Sequence, residues 1–163
     1  GDSLVELAVE DLKKSSSVDF ANKGVSPPEP TGGQVMALGA SGEWLAMSTG
    51  NTVQLLKRQI KVEKSSFGTP VGELACDSEN LTVHDGQVCG LSFNRQSTLL
   101  VTVDSGDNST LALWDTAERV LVKLQTAEHI YGLAADDQKS NRFNGCAFSD
   151  CGKFVHAAVS TRG

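Results

Sequence analysis

Apolar and polar residues alternate with a period of two along most of the chain, and the helical period of about 3.6 is nearly absent. Leu4-Val5-Glu6-Leu7-Ala8-Val9 predicts one strand, with "GDS" at 1–3 as a turn feeding it. Residues 15–33, "SSSVDFANKGVSPPEPTGG", hold three prolines, four serines and three glycines and predict a flexible loop. From residue 34 a unit repeats. "QVMALGASGEWLAMSTGNTVQLLKR" (34–58) predicts strand, turn at Ser41-Gly42, strand, turn at Gly50-Asn51, strand. Residues 86–115 have the same order with longer turns, and residues 141–163 start it a third time. The last two copies superpose without a gap at an offset of 55, placing Val88 on Phe143, Leu91 on Cys146, Phe93 on Phe148 and Leu100 on Val155. The first copy needs a two-residue deletion at its turn. Gly39, Gly42 and Gly50 read as turn glycines, and the stretches 64–80 and 126–141 as polar connections between copies.

A unit of several short strands repeated at this spacing predicts a propeller. A four-stranded antiparallel sheet with two apolar faces cannot bury both by itself, so such sheets stack around an axis. The predicted fold class is all-β: a partial β-propeller of about three antiparallel blades. Residues 1–14 supply a strand of an opening blade, 34–63 a blade, 81–125 the best-preserved blade and 141–163 the first hairpin of a further one. Closed propellers typically need about four to eight blades. The ring is therefore expected to be completed from outside these residues, by more of the same chain or by other chains.

Residues 81–124 resemble one complete WD repeat. His84-Asp85 stands at the family's Gly-His step and Trp114-Asp115 is the Trp-Asp pair. The resemblance implies a structural hydrogen-bonded chain of His84, Thr102, Trp114, and Asp104 or Asp107, with the histidine structural and not catalytic. The other two copies lack both signatures. "DSLVELAVEDL", "MALGASGEWLAMSTGNTVQLLKR" and "VCGLSFNRQSTLLVTVDSGDNSTLALWD" are further similar to the N-terminal half of the cytosolic propeller in the prolactin regulatory element-binding protein family. These are exchange factors of the endoplasmic-reticulum membrane for the Sar-type small GTPase. That resemblance implies guanine-nucleotide exchange in COPII vesicle formation on the cytosolic face of that membrane, with the GTPase as protein partner. The family's Gly/Asn-rich, potassium-stabilised loop would precede Gly1 and its membrane anchor would follow the propeller, so no residue here inherits either role. The alternative is a WD-type adaptor without exchange activity, with 104–109 and 126–141 as its contact loops.

Composition narrows the field. Of 163 residues 39% are hydrophobic and 21% charged, an ordinary globular composition. The net charge of −6, without a basic stripe, argues against nucleic acid as a partner. No signal peptide is visible, no run is long enough to span a bilayer, and this segment is expected to make no membrane contact. Cys76, Cys89, Cys146 and Cys151 form no C-x-x-C pair. Cys89 and Cys146 read as small core residues in a reduced, cytoplasmic compartment. Cys146, Cys151 and His156 have the wrong spacing for a metal site, so no metal or cofactor is expected. His129 falls in a polar connection and His156 in a strand.

The opening "GDSL" matches the name of a hydrolase family, but the catalytic reading of Ser3 fails. It needs an apolar strand before the serine and a D-x-x-H pair to activate it, and the chain contains no D-x-x-H. No enzyme activity is expected of this segment. "SPPEP" has a P-x-x-P pattern without a basic flank and reads as linker. The acceptor-like Asn80-Leu81-Thr82 and Asn108-Ser109-Thr110 read as polar turns.

Overall fold

The computed structural model describes residues 2–14, 34–64, 70–127 and 140–162. Strands dominate: β1 (Asp2–Ala8), β2 (Met36–Leu38), β3 (Trp44–Thr49), β4 (Thr52–Lys64), β5 (Pro70–Thr82), β6 (Val88–Phe93), β7 (Leu99–Asp104), β8 (Thr110–Asp115), β9 (Val120–Thr126), β10 (Ser140–Phe148) and β11 (Phe154–Arg162), with a short helix, α1 (Val9–Lys14), after β1. The protein is all-β. They form three antiparallel sheets, in the orders β2-β3-β4-β5, β6-β7-β8-β9 and β1-β11-β10.

The repeat is written into the backbone bonds of the first hairpin turn of each sheet. Gly39 N–H donates to the Trp44 carbonyl (2.8 Å) and Gly42 N–H to the Gly39 carbonyl (2.9 Å). Asn94, Ser97 and Leu99 make the same two bonds, and so do Ser149, Gly152 and Phe154. The third position of each turn is left-handed, with φ of 72° at Gly42, 57° at Ser97 and 71° at Gly152. Glycine enters that region freely, and a serine there is strained. All three turns keep the 55-residue offset, so the first copy needs no deletion here. The shortening falls at the second turn, where residues 50–51 join β3 to β4 and residues 105–109 join β7 to β8. A bulge recurs too: register shifts between Val88 and Gly90 and, one copy on, between Phe143 and Gly145.

Several sequence expectations need correction. Pro70–Thr82 is not connection but the fourth strand of the first sheet, paired with β4 from Thr52↔Thr82 to Lys64↔Pro70. Leu81 and Thr82 thus belong to that sheet, and Asn80 lies in a strand rather than a turn. Residues 1–14 do not begin a sheet of their own. β1 pairs with β11 from Asp2↔Ser160 to Ala8↔Phe154 and completes the sheet of β10. Asp2 and Ser3 lie within β1, not in a turn before it. Val9–Lys14 is helical, and its Val9 and Leu12 are buried three residues apart on one face. Residues 15–33, with the P-x-x-P pattern, and 128–139, with His129 and most of the 126–141 connection, lie outside the described residues.

The central sheet β6–β9 is buried on both sides. Every residue of β7 is buried, as are Thr110 to Trp114 of β8. One face, with Leu100, Ala112 and Trp114, packs on Ala46, Val53 and Leu55 of the first sheet. The other, with Val101, Val103, Leu111 and Leu113, packs on Phe143, Val155, Ala157 and Val159 of the third. Each of the valine, leucine and phenylalanine side chains among these contributes about 1.5–3 kcal/mol on burial. β6 lies against both β2 and β10. Gly90 permits the second approach, since a Cβ there would stand 2.9 Å from Cys146 N and 3.0 Å from Gly145 Cα. Polar links recur between sheets as well: Val88 N–H donates to the Gly50 carbonyl (2.9 Å) and Phe143 N–H to Ser109 Oγ (2.8 Å).

Candidate functional site: a buried hydroxyl–imidazole–carboxylate network

The central sheet encloses a buried polar constellation that links β7, β8 and the segment after β5. Thr102 sits midway along β7 and Asp104 at its end; Thr110 opens β8 and Trp114 lies near its end. His84 arrives from the segment after β5. That segment is pinned to the β7–β8 turn by the bond from Ser105 N–H to the Gln87 carbonyl (2.9 Å). A Cβ at Gly86 would stand 2.4 Å from the backbone of Gly106, so glycine is what lets the two stretches lie together.

The two ends fix the direction of donation, because an indole only donates and a carboxylate only accepts. Trp114 Nε1–H donates to Thr102 Oγ1 (2.9 Å), Thr102 donates to His84 Nε2 (2.6 Å), and His84 Nδ1–H donates to Asp104 Oδ2 (2.7 Å). The Thr110 hydroxyl donates to the same oxygen (2.6 Å) and lies 2.9 Å from His84 Nδ1. Gly106 N–H supplies the other carboxylate oxygen (2.9 Å). Burial alone would raise the Asp104 carboxyl. The hydrogen bond from His84, joined by those from Thr110 and Gly106, outweighs it and holds Asp104 below the usual carboxylate range. Ser109 Oγ donates to the Asp104 carbonyl while accepting from Phe143 N–H, which joins the network to the third sheet.

Hydroxyl, imidazole and carboxylate stand in the order of a proton relay, but access decides what they do. Thr102 is fully buried, His84 and Asp104 are each 1% exposed, and the hydroxyl oxygen is already occupied by the indole. No substrate atom reaches it. The arrangement closes the hydrogen-bonding demands of buried polar groups, at about 1 kcal/mol net per bond and more where a charge takes part. No protein-family model matches the chain, and no curated protein matches it.

Of the residues the sequence suggested, His84, Thr102, Asp104 and Trp114 come together. Asp107 does not; it is exposed and paired with Arg142. The five-residue turn explains this, carrying Asp107 outward while Asp104 stays on the strand. Thr110, Ser109 and Gly106 were not foreseen. Their only trace in the sequence is a hydroxyl pair, Ser109-Thr110, closing an Asx-rich turn.

Other chemistry-bearing residues lie apart. Ser3 is exposed within β1, paired with Val159, and not at a strand-to-helix turn. His156 pairs with Glu6 at 2.6 Å on the outer face of the third sheet, whereas Cys146 points into the core, so these two do not converge with Cys151. Among the described residues no group of three or more His, Cys, Asp or Glu is placed to hold a metal ion. Burial pushes the Cys89 thiol up to about 11 and Cys146 higher still, which leaves both protonated and unreactive. Among the described residues no helix is long and apolar enough to cross a membrane.

Proposed function

We propose that this chain builds part of a WD-type β-propeller and acts as a scaffold for protein–protein interaction. In its most specific form it is the scaffold of a guanine-nucleotide exchange factor for a Sar-type small GTPase, working on the cytosolic face of the endoplasmic-reticulum membrane in COPII vesicle formation. The observation that carries the scaffold reading is the recurrence of one sheet-building unit, with its left-handed turn at the same offset in three sheets, around a central sheet buried on both faces. The sequestered His84–Thr102–Trp114–Asp104 network supports it, because these groups brace a sheet and reach no ligand. The exchange reading draws on the resemblance of residues 2–124 to that family.

The test is nucleotide release from a Sar-type GTPase with the full-length protein. The expected result is accelerated GDP release. Binding of the GTPase, or of another protein, without any change in release rate would replace the exchange reading with that of an adaptor. Its contact sites would then be exposed turn residues such as Asp107 and Asn108.

A further inference from the structure

The first sheet runs on where the central sheet turns back. β8 has 6 residues and β4, its counterpart, 13. Thr116 N–H donates to the Thr98 carbonyl (3.1 Å), and the chain then turns into β9. At the same point of the first sheet Arg58 N–H donates to the Glu43 carbonyl (2.8 Å), but β4 continues to Lys64. β3 reaches no further. Among the described residues β4 therefore pairs with β5 alone from Gln59↔Ala75 to Lys64↔Pro70. At about 3.4 Å per residue this two-stranded arm extends about 20 Å past the rest of its sheet.

One edge of the arm is open and fit for pairing. In a regular antiparallel strand the backbone groups of alternate residues point to opposite neighbours, and β4 keeps a single register with β5 throughout. Arg58 points its N–H to the β3 side. Ile60, Val62 and Lys64 thus point their N–H and C=O the same way, where among the described residues no strand meets them. Isoleucine and valine favour strands. The outer edge of β5 is blunted instead: at the same level stand Pro70, which has no N–H to give, and Gly72. A two-stranded ribbon is marginal in water, and a third strand stabilises it.

We propose that an extended acidic segment of a partner protein adds to this arm as a third strand, along the edge from Ile60 to Lys64. Strand addition draws its affinity from main-chain hydrogen bonds. Charge selects the occupant. Past Lys57 the edge strand carries Arg58, Lys61 and Lys64 against Glu63, and with Glu73 of β5 the arm is still net positive, in a chain of net charge −6. A second copy of β4 at this edge would bring like charges alongside, which is unfavourable. The proposal deepens the scaffold part of the function above, on which it rests, by naming the kind of segment held; it does not rest on the GTPase.

The test is amide hydrogen exchange in the full-length protein, read by NMR. The probe is a short capped peptide alternating valine and glutamate, and its valine–lysine counterpart is the control. In the protein alone the amides of Ile60, Val62 and Lys64 should exchange fast while those of Gln59, Lys61 and Glu63, which face β5, are protected. The acidic peptide should slow the first three by at least about tenfold, and the basic one should not. Val62→Pro takes an N–H from the open edge and should weaken binding by at least about tenfold. Leu74→Pro takes one from the outer edge of β5 and should leave binding unchanged. Protected amides at Gln59 and Glu63 show that the arm still forms in each variant. Lys61→Glu/Lys64→Glu should reverse the preference towards the basic peptide. Protection of Ile60, Val62 and Lys64 before any peptide is added, whether by another part of the protein or by a second copy, overturns the proposal. So does equal protection by the two peptides, or binding that survives Val62→Pro. The readout involves no GTPase, so a failed nucleotide-release assay leaves it intact, and an edge that takes no peptide leaves the exchange reading intact.

Discussion

The first and central sheets share one frame and differ in what fills it. Where the central sheet has Thr102 and Trp114, the first has Met47 and Leu56; where Asp104 ends β7, Thr49 ends β3, exposed and outside any such network. Yet the strand order, the register from β2 to β4 and from β6 to β8, and the first hairpin turn are the same. The polar network is therefore not what makes this unit fold into a sheet. Period-two patterning and turn geometry do that, and the network is added where a sheet is covered on both faces and its polar atoms lose water.

Three substitutions or titrations break or sharpen that contrast. The largest effect belongs to Asp104→Ala. Removing the carboxylate strands His84, the Thr110 hydroxyl and the Gly106 N–H, and the expected loss is about 3–5 kcal/mol by urea unfolding. Thr49→Ala, at the matching position of the first sheet, should stay within about 0.5 kcal/mol. Comparable losses at the two positions would erase the distinction.

The second concerns pH. Asp104 is held below its unfolded value of about 3.9. Its contribution is thus fully present above that unfolded value and is lost as pH falls through the lower folded value. Unfolding midpoints of the wild type should drop through the acid range, and Asp104→Asn should flatten that drop. An undiminished slope in the variant would assign acid sensitivity to other carboxylates.

The smallest effect has the opposite sign. Ser97 holds the left-handed position that Gly42 and Gly152 occupy in the other two turns, and its buried hydroxyl has no hydrogen-bond partner. Ser97→Gly removes both costs and should stabilise the protein by about 1 kcal/mol. A destabilised variant would mean that the serine contributes packing which outweighs its strain.

What could be read from the sequence follows the same division. The strands of 86–115 were legible because alternation and turn residues are local features. β5 was not: Asp77, Ser78, Glu79 and Asn80 are all exposed on an outer strand, and only pairing with β4 makes that stretch extended. α1 is too short for its period to register. His84, Thr102 and Trp114 could be named from a repeat pattern, but the choice between Asp104 and Asp107 depended on the path of a five-residue turn. The partnership of β1 with β11 is the least local feature and left no trace in either segment.

That last pairing sets an order of events. Asp2–Ala8 leaves the ribosome before its partner Phe154–Arg162 exists, and at about 5–20 residues per second the wait is roughly 7–30 s. The central sheet, joined by short turns, assembles from contiguous chain in the meantime. Contacts of such sequence separation form late, because a large loop must close before they can reward it. The amide hydrogens of β1 are accordingly expected to exchange with solvent sooner than those of β7 and β8, and a protease acting on partly opened molecules would find this amino-terminal strand first.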